Sequence, residues 1–203
     1  MIAIIDYGVG NLFSLKSSFA AIGHEAVVAS DPAVIEAADK IILPGVGAFG
    51  DAADKLRTSG LDQVVIRETG KGKPLMGICL GMQLLFEKSF EYGEHAGLGL
   101  IPGAVKPIAE VIPAAYKIPH IGWNALRMKK ESPIFRYIKE GDYVYFVHSF
   151  YAADCDDYVI ADSEYGAYLT AAVQNGNVYG CQFHPEKSGN VGLAILRAFC
   201  EEV

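Results

Sequence analysis

Pro74-Leu-Met-Gly-Ile-Cys-Leu-Gly-Met-Gln83 sets one thiol, Cys79, at the junction between a short apolar run and a stretch that reads as helix. Gly77-Ile78-Cys79-Leu80-Gly81 is the cysteine form of the G-x-S-x-G elbow. In that turn, small flanking residues let the backbone bend sharply enough to lift the central side chain out of a sheet. The reading predicts a strand over Pro74–Ile78 and a helix over Leu80–Glu87. Unpaired amides and the positive dipole end of a helix opening at Leu80 favour an anionic sulfur, which is the attacking species in thiol chemistry.

Upstream, short apolar runs alternate with helical segments. Ile2–Ile5, Ala26–Ala29 and Ile41–Leu43 read as strands, Leu12–Ala21 as a helix, and the chain after Leu43 as far as Thr69 as further helix. This rhythm predicts an α/β fold with a parallel sheet and crossover helices, whose ligands gather at the carboxyl ends of the strands. Cys79 falls at such an end. Beyond Gly93 the pattern changes to strand-like runs at Leu98–Ile101, Ile121–Met128, Tyr143–Phe150, Tyr158–Ala161, Tyr168–Val173 and Val178–Phe183. These predict antiparallel additions to the sheet, a mixed sheet overall, and Val191–Phe199 predicts a closing amphipathic helix. There are no repeats, low-complexity tracts or linkers, so residues 1–203 are expected to form one domain.

Composition narrows the function. Half of the 203 residues are apolar (51%), yet no apolar run approaches a membrane span. Met1-Ile-Ala-Ile-Ile-Asp6 enters a strand pattern directly, with no basic leader, so a cytoplasmic location is expected. A formal charge of −7 without a dense Lys/Arg cluster gives no footprint for nucleic acid. Cys79, Cys155, Cys181 and Cys200 form no C-x-x-C pair and suggest neither a metal site nor a redox dithiol. The last three are expected to pack as small hydrophobes.

A cysteine nucleophile needs a base, and the chain offers His24, His95, His120, His148 and His184. His184 follows the strand at 178–183 within Gln182-Phe-His-Pro-Glu-Lys-Ser188, and Glu186 stands two residues on. In extended backbone both side chains would share one face, giving a base and the carboxylate that fixes its tautomer. Pro44-Gly-Val-Gly-Ala-Phe-Gly50 places a glycine turn after the strand at 41–43, where backbone amides can hold an oxyanion. The Val46 and Leu80 amides are the expected donors, each such donor being worth about 2.7–4 kcal/mol. Glycines on both sides would let the Val46 peptide flip on assembly. His148 is expected to shape the pocket wall, and His24 and His95 to be ordinary surface or strand-edge residues.

Each feature has an ordinary alternative. A lone cysteine after an apolar strand usually fills core, a His-Pro-Glu is usually a solvated turn, and Pro-Gly-x-Gly is usually loop punctuation. Their joint fall at predicted strand ends favours catalysis.

Gly77-Ile-Cys-Leu-Gly-Met-Gln83 with His184-Pro-Glu186 resembles the class I (triad) glutamine amidotransferases over essentially the whole chain. Asp6-Tyr-Gly-Val-Gly-Asn-Leu12, Pro44-Gly-Val-Gly47, His120-Ile-Gly-Trp-Asn124, Phe146-Val-His-Ser-Phe150 and Gln182-Phe-His-Pro-Glu-Lys-Ser188 are similar, within that family, to the glutaminase subunits of imidazole glycerol phosphate synthases. Phe150 stands where these often carry tyrosine. The resemblance implies that Cys79, His184 and Glu186 hydrolyse glutamine through a thioester. It also implies that Gln83, the Gly47 backbone and the Ser149-Phe150 strand end hold glutamine, with no cofactor or metal. The ammonia would pass to a (β/α)₈-barrel cyclase in histidine biosynthesis. Asn11, Trp123, Asn124, Tyr145 and Lys187 would face that partner, as an aromatic anchor at Trp123 and an ion-pair donor at Lys187. Three alternatives remain: ammonia supply to another synthase, such as one making pyridoxal phosphate or guanylate; a stand-alone γ-glutamyl hydrolase; and a non-catalytic subunit that keeps the triad.

Overall fold

The computed structural model describes residues 1–203. Strand β1 (Ile2–Ile5), helix α1 (Leu12–Ala21), strand β2 (Ala26–Ala29), helix α2 (Pro32–Ala37) and strand β3 (Lys40–Leu43) open the chain. Helices α3 (Phe49–Thr58) and α4 (Leu61–Gly70) lead to strand β4 (Leu75–Ile78) and helix α5 (Leu80–Gln83). The second half runs through β5 (Phe86–Ser89), β6 (His95–Ala96), β7 (Ile101–Pro107), β8 (His120–Ala125), β9 (Arg127–Met128) and β10 (Tyr143–His148). It ends with β11 (Phe150–Ala153), β12 (Val159–Glu164), β13 (Tyr168–Asn175), β14 (Val178–Cys181) and helix α6 (Gly189–Glu201).

The main sheet has the order β2-β1-β3-β4-β14-β13-β12-β9. From β2 to β14 every pairing is parallel, and β13, β12 and β9 add antiparallel strands at one side. The parallel strands carry unbroken apolar runs because both faces are covered. Ala3, Ile5, Ile41, Leu43 and Leu75 pack against α2, α3 and α4. Ile2, Ile4, Ile42, Met76 and Ile78 pack against α1 and α6 on the opposite face. Within the sheet, β4 and β14 are hydrogen-bonded neighbours, Gly180 opposite Gly77 and Cys181 opposite Ile78. Their adjacency brings the segments after both strands, residues 79 and 182–186, to one edge of the fold.

Several expectations change. The helix expected over Leu80–Glu87 ends at Gln83, and Phe86–Ser89 is a strand. Leu84, Leu85 and Phe86 are all fully enclosed, and their carbonyls accept from the amides of Leu98, Leu100, Ile101 and Gly99, so a tertiary partner takes the bonds that would have propagated the helix. The strands of the second half do not all join the main sheet. β8 pairs only with β10, and β11-β7-β5-β6 form a third sheet. The runs at 121–128 and 143–150 break at Leu126 and Ser149, where the chain passes between sheets, and of 98–101 only Ile101 is strand. Helix α2 was not anticipated, although Asp31 accepts from the Ala33 amide as its cap and Pro32 occupies the first turn. No helix is long and apolar enough to cross a membrane.

Candidate active site

Cys79 occupies a left-handed backbone conformation, φ 54° and ψ −112°, between β4 and α5. A non-glycine residue held there stores strain that only tight surroundings maintain. Those surroundings require missing side chains: a Cβ at Gly77 would lie 2.6 Å from the Gly81 carbonyl oxygen, and one at Gly45 would lie 2.7 Å from the Gly81 amide. The elbow read from the sequence is therefore formed. Because α5 is a single turn, it supplies local amides beside the sulfur rather than the dipole of a full helix.

His184 is 3% exposed, and its Nδ1 lies 2.8 Å from Glu186 Oε1. The pair is not made by extended backbone as the spacing had suggested. Pro185–Lys187 form a 3₁₀ turn, and that turn folds the carboxylate back onto the ring. Glu186 Oε2 is buried with no partner, so no other donor dilutes its attraction for the imidazole. Burial alone would lower the His184 pKa, but hydrogen bonding and charge from Cys79 and Glu186 outweigh it and push the imidazole up to about 9. At neutral pH His184 therefore holds its proton. The Cys79 sulfur lies 3.9 Å from the Val147 carbonyl oxygen and accepts from Gln182 Nε2 at 3.8 Å.

Cys79 and His184 open onto a cavity of about 320 Å³. Val46, Gly47, Leu80, Gln83, Ser149 and Phe150, all named from the sequence, line it with them. The Val46 amide donates to no protein acceptor. Tyr7, from the first glycine-rich segment, anchors the turn by donating to the Pro44 carbonyl oxygen at 2.7 Å, and burial with the nearby Cys79 charge raises its phenol above the usual range. A larger and more open depression of about 790 Å³ runs along residues 128–136 and contains none of these groups.

Sequence reasoning missed several residues here. Glu91 lines the cavity, its Oε2 accepting from the Phe49 amide at 2.7 Å, and burial raises its carboxyl against the opposing pull of that amide and of His95. No local pattern marks it; only packing of the turn after β5 against α3 does. Gln182, two residues before His184, is another, its Oε1 accepting from Gln83 Nε2 at 3.0 Å. Gln83 Nε2 also donates to the Phe150 carbonyl oxygen at 3.1 Å. His148 lines the cavity wall, as expected.

Of the residues expected to face a partner, Trp123 is 51% exposed and packs edge-on to Tyr145, its cross-strand neighbour, with ring centroids 5.9 Å apart. Lys187 is exposed and borders the cavity, and Asn11 is half-buried at the start of α1. Asn124 turns inward instead: its Oδ1 lies 2.8 Å from His120 Nε2, and its Nδ2 donates to the Glu164 carbonyl oxygen at 2.9 Å. The β8–β10 ribbon thus has two faces. Ile121, Trp123, Tyr143 and Tyr145 look outward, and Val147 on the same face borders the cavity.

The family model described as glutamine amidotransferase class-I matches residues 3–203. The imidazole glycerol phosphate synthase subunit HisH of Wolinella succinogenes is 48% identical over 203 residues, covering 99% of each chain. The subunit of the same description from Aquifex aeolicus is 50% identical over 198 residues, covering 97% of this chain and 94% of its own. Among solved structures, a glutamine amidotransferase superposes with a TM-score of 0.77 at 20% identity, over 99% of this chain and 98% of that one. PurLQS from Thermotoga maritima superposes with the same TM-score at 22% identity, over 98% and 96%. At these identities the structural likeness speaks for the fold alone.

Proposed function

The chain belongs to the class I glutamine amidotransferases, and from that premise we propose that it is the glutaminase subunit of an imidazole glycerol phosphate synthase. One observation carries the chemistry: Cys79 and His184 line one cavity, and the Glu186 carboxylate sits 2.8 Å from the far side of the imidazole. Glutamine enters with its carboxamide at Cys79. Gln83, Gly47 and the Ser149-Phe150 strand end supply its polar partners, and Glu91 supplies the negative charge that suits an α-ammonium group.

The Cys79 sulfur forms a bond to the carboxamide carbon, and the oxygen takes the negative charge. The Val46 and Leu80 amides are the proposed donors to that oxyanion. His184 gives its proton to the amide nitrogen, the C–N bond breaks, and ammonia leaves a γ-glutamyl thioester. A water then attacks the thioester carbon while His184 accepts its proton. The C–S bond breaks, glutamate departs, and the Cys79–His184 pair is restored with one shared proton. Glu186 orients the ring throughout and balances its charge.

Ammonia set free in bulk water would take up a proton and cease to be a nucleophile. The outward face of the β8–β10 ribbon gives a means of preventing this, because Val147 lies both on that face and at the cavity. A (β/α)₈ cyclase seated on Trp123, Ile121 and Tyr145 would close the mouth and receive the ammonia. Lys187 at the rim is the proposed ion-pair donor and Asn11 a further contact. The Val46 peptide, flanked by glycines, is proposed to reach its donating orientation in that assembly. The whole chain, residues 1–203, is proposed to act as one domain in a heterodimer.

Glutamine hydrolysis measured with the chain alone, with the cyclase, and with cyclase plus its nucleotide substrate tests this reading. Weak turnover that rises at each addition is expected. Equal rates in all three would remove the partnership, and full activity of the isolated chain on γ-glutamyl peptides would favour a stand-alone hydrolase.

A further inference from the structure

A continuous buried chain of polar contacts leads from the nucleophile to strand β8. Gln182 donates to Cys79 and accepts from Gln83, and Gln83 donates to the Phe150 carbonyl oxygen. That same oxygen lies 2.7 Å from His148 Nδ1. His148 Nε2 lies 3.0 Å from His120 Nδ1, and His120 Nε2 lies 2.8 Å from Asn124 Oδ1. The two histidines are 6% and 1% exposed. His120 is stacked between Tyr165 and Phe146, at centroid distances of 4.0 and 5.0 Å, so its ring is held in plane.

Counting protons along this chain exposes a conflict. A carbonyl oxygen only accepts, so the Phe150 contact needs a proton on His148 Nδ1. The Asn124 amide is oriented by its donation to Glu164, so its oxygen faces His120 and that contact needs a proton on His120 Nε2. The contact between the rings needs one more. Three contacts ask for three protons, and two neutral imidazoles carry two. A third proton would make the pair a cation, which burial opposes at both rings: the His148 pKa is held down at about 3, and His120 is lowered as well. The titratable groups facing the pair are His184 and Tyr165, of which His184 further disfavours charge on His148. One contact is therefore always a proton short.

We propose that His148 and His120 are positioning residues forming a two-position proton relay between strand β8 and the glutamine-binding carbonyl of Phe150. In one position the missing proton falls at Asn124, and the Phe150 carbonyl is held by His148. In the other it falls at Phe150, and that carbonyl is released from His148. A cyclase seated on the outward face of β8, at Ile121 and Trp123, biases which position is filled by shifting the strand that carries the inward-turned Asn124. This rests on the reading that Phe150 borders bound glutamine and that a cyclase covers the ribbon. The relay gives that coupling two discrete arrangements, the physical requirement for a biased equilibrium.

The test uses the full chain, alone and with the cyclase, labelled with ¹⁵N-histidine, so that tautomers are read from ring nitrogen shifts. Asn124→Leu removes the acceptor facing His120 Nε2 and should drive the vacancy permanently to that end. The wild-type chain should show averaged tautomers at His120 and His148, and the variant should show Nδ1–H alone at both. In kinetics, Asn124→Leu should lower the partner-free KM for glutamine roughly fivefold with kcat little changed, the scale of one retained hydrogen bond. Asn124→Asp, which keeps the shape, should instead stabilise the three-proton cation and show both His120 nitrogens protonated. Identical fixed tautomers in all three chains would overturn the relay, as would a raised KM in Asn124→Leu. The tautomer readout needs no turnover, so an inactive wild-type chain would count against the glutaminase reading and leave this test intact.

Discussion

Gly81 lies so close to Leu43 that a Cβ at that position would sit 1.9 Å from the Leu43 carbonyl oxygen. The first turn after the nucleophile is thereby pressed against the end of a neighbouring strand of the same sheet, and the sharp conformation at Cys79 has no room to relax. Elbow and sheet are one packed unit.

Gly81→Ala should therefore cost more than an ordinary surface change, about 1–3 kcal/mol or beyond, because backbone rather than a flexible side chain must give way. Gly70→Ala is the control, since a Cβ there meets nothing within 4 Å. It should be neutral or stabilising by up to about 1 kcal/mol. Urea unfolding of the two variants checks the contrast, and equal midpoints would refute the packing argument.

The raised imidazole at His184 makes two pH predictions. Its ordinary value is about 6.5 and its value in the fold is about 9, so the contacts that raise it favour the protonated folded form. Their stabilisation is complete below about pH 6.5 and is lost as pH rises through about 9. The stability advantage of the wild-type chain over His184→Gln should narrow across that window in urea titrations. Glutaminase kcat/KM should also fall above about pH 9, where the acid needed by departing ammonia is gone. Glu186→Gln keeps a hydrogen-bonding group but removes the charge, and should move this alkaline limb to lower pH. An unmoved limb would separate Glu186 from His184.

Trp123 is half exposed on the outward face of the ribbon and contributes little to the core. Trp123→Ala should leave the urea midpoint within about 0.5 kcal/mol, as expected of a surface site, while weakening cyclase binding by roughly thirtyfold or more, the scale of an aromatic anchor. Calorimetric titration of the cyclase gives the second number. Undiminished binding would move the interface elsewhere.

What the sequence made legible follows from the range of the forces involved. β1, α1 and β2 could be bounded to the residue because apolar runs and polar breaks are local signals, and Gly77-Ile-Cys-Leu-Gly81 encodes its own turn. The overlong helix after Cys79 shows the limit: the carbonyls of residues 84–86 are claimed by residues 98–101, which no local pattern announces. His184 and Glu186 were paired correctly from their spacing but for a different geometric reason, a 3₁₀ turn in place of extended backbone. Glu91 and the inward turn of Asn124 were hidden because each depends on packing between segments distant in the chain. The contact of His120 with His148 became visible only once β8 and β10 were in register, each opposite the other.

The central claim is that the Cys79 sulfur performs the attack on glutamine while ammonia is used elsewhere, and Cys79→Ala in complex with the cyclase tests it most directly. Glutamine hydrolysis should disappear, and synthesis driven by added ammonium salt should continue at the wild-type rate. Glutamine hydrolysis that survives the substitution would contradict the account.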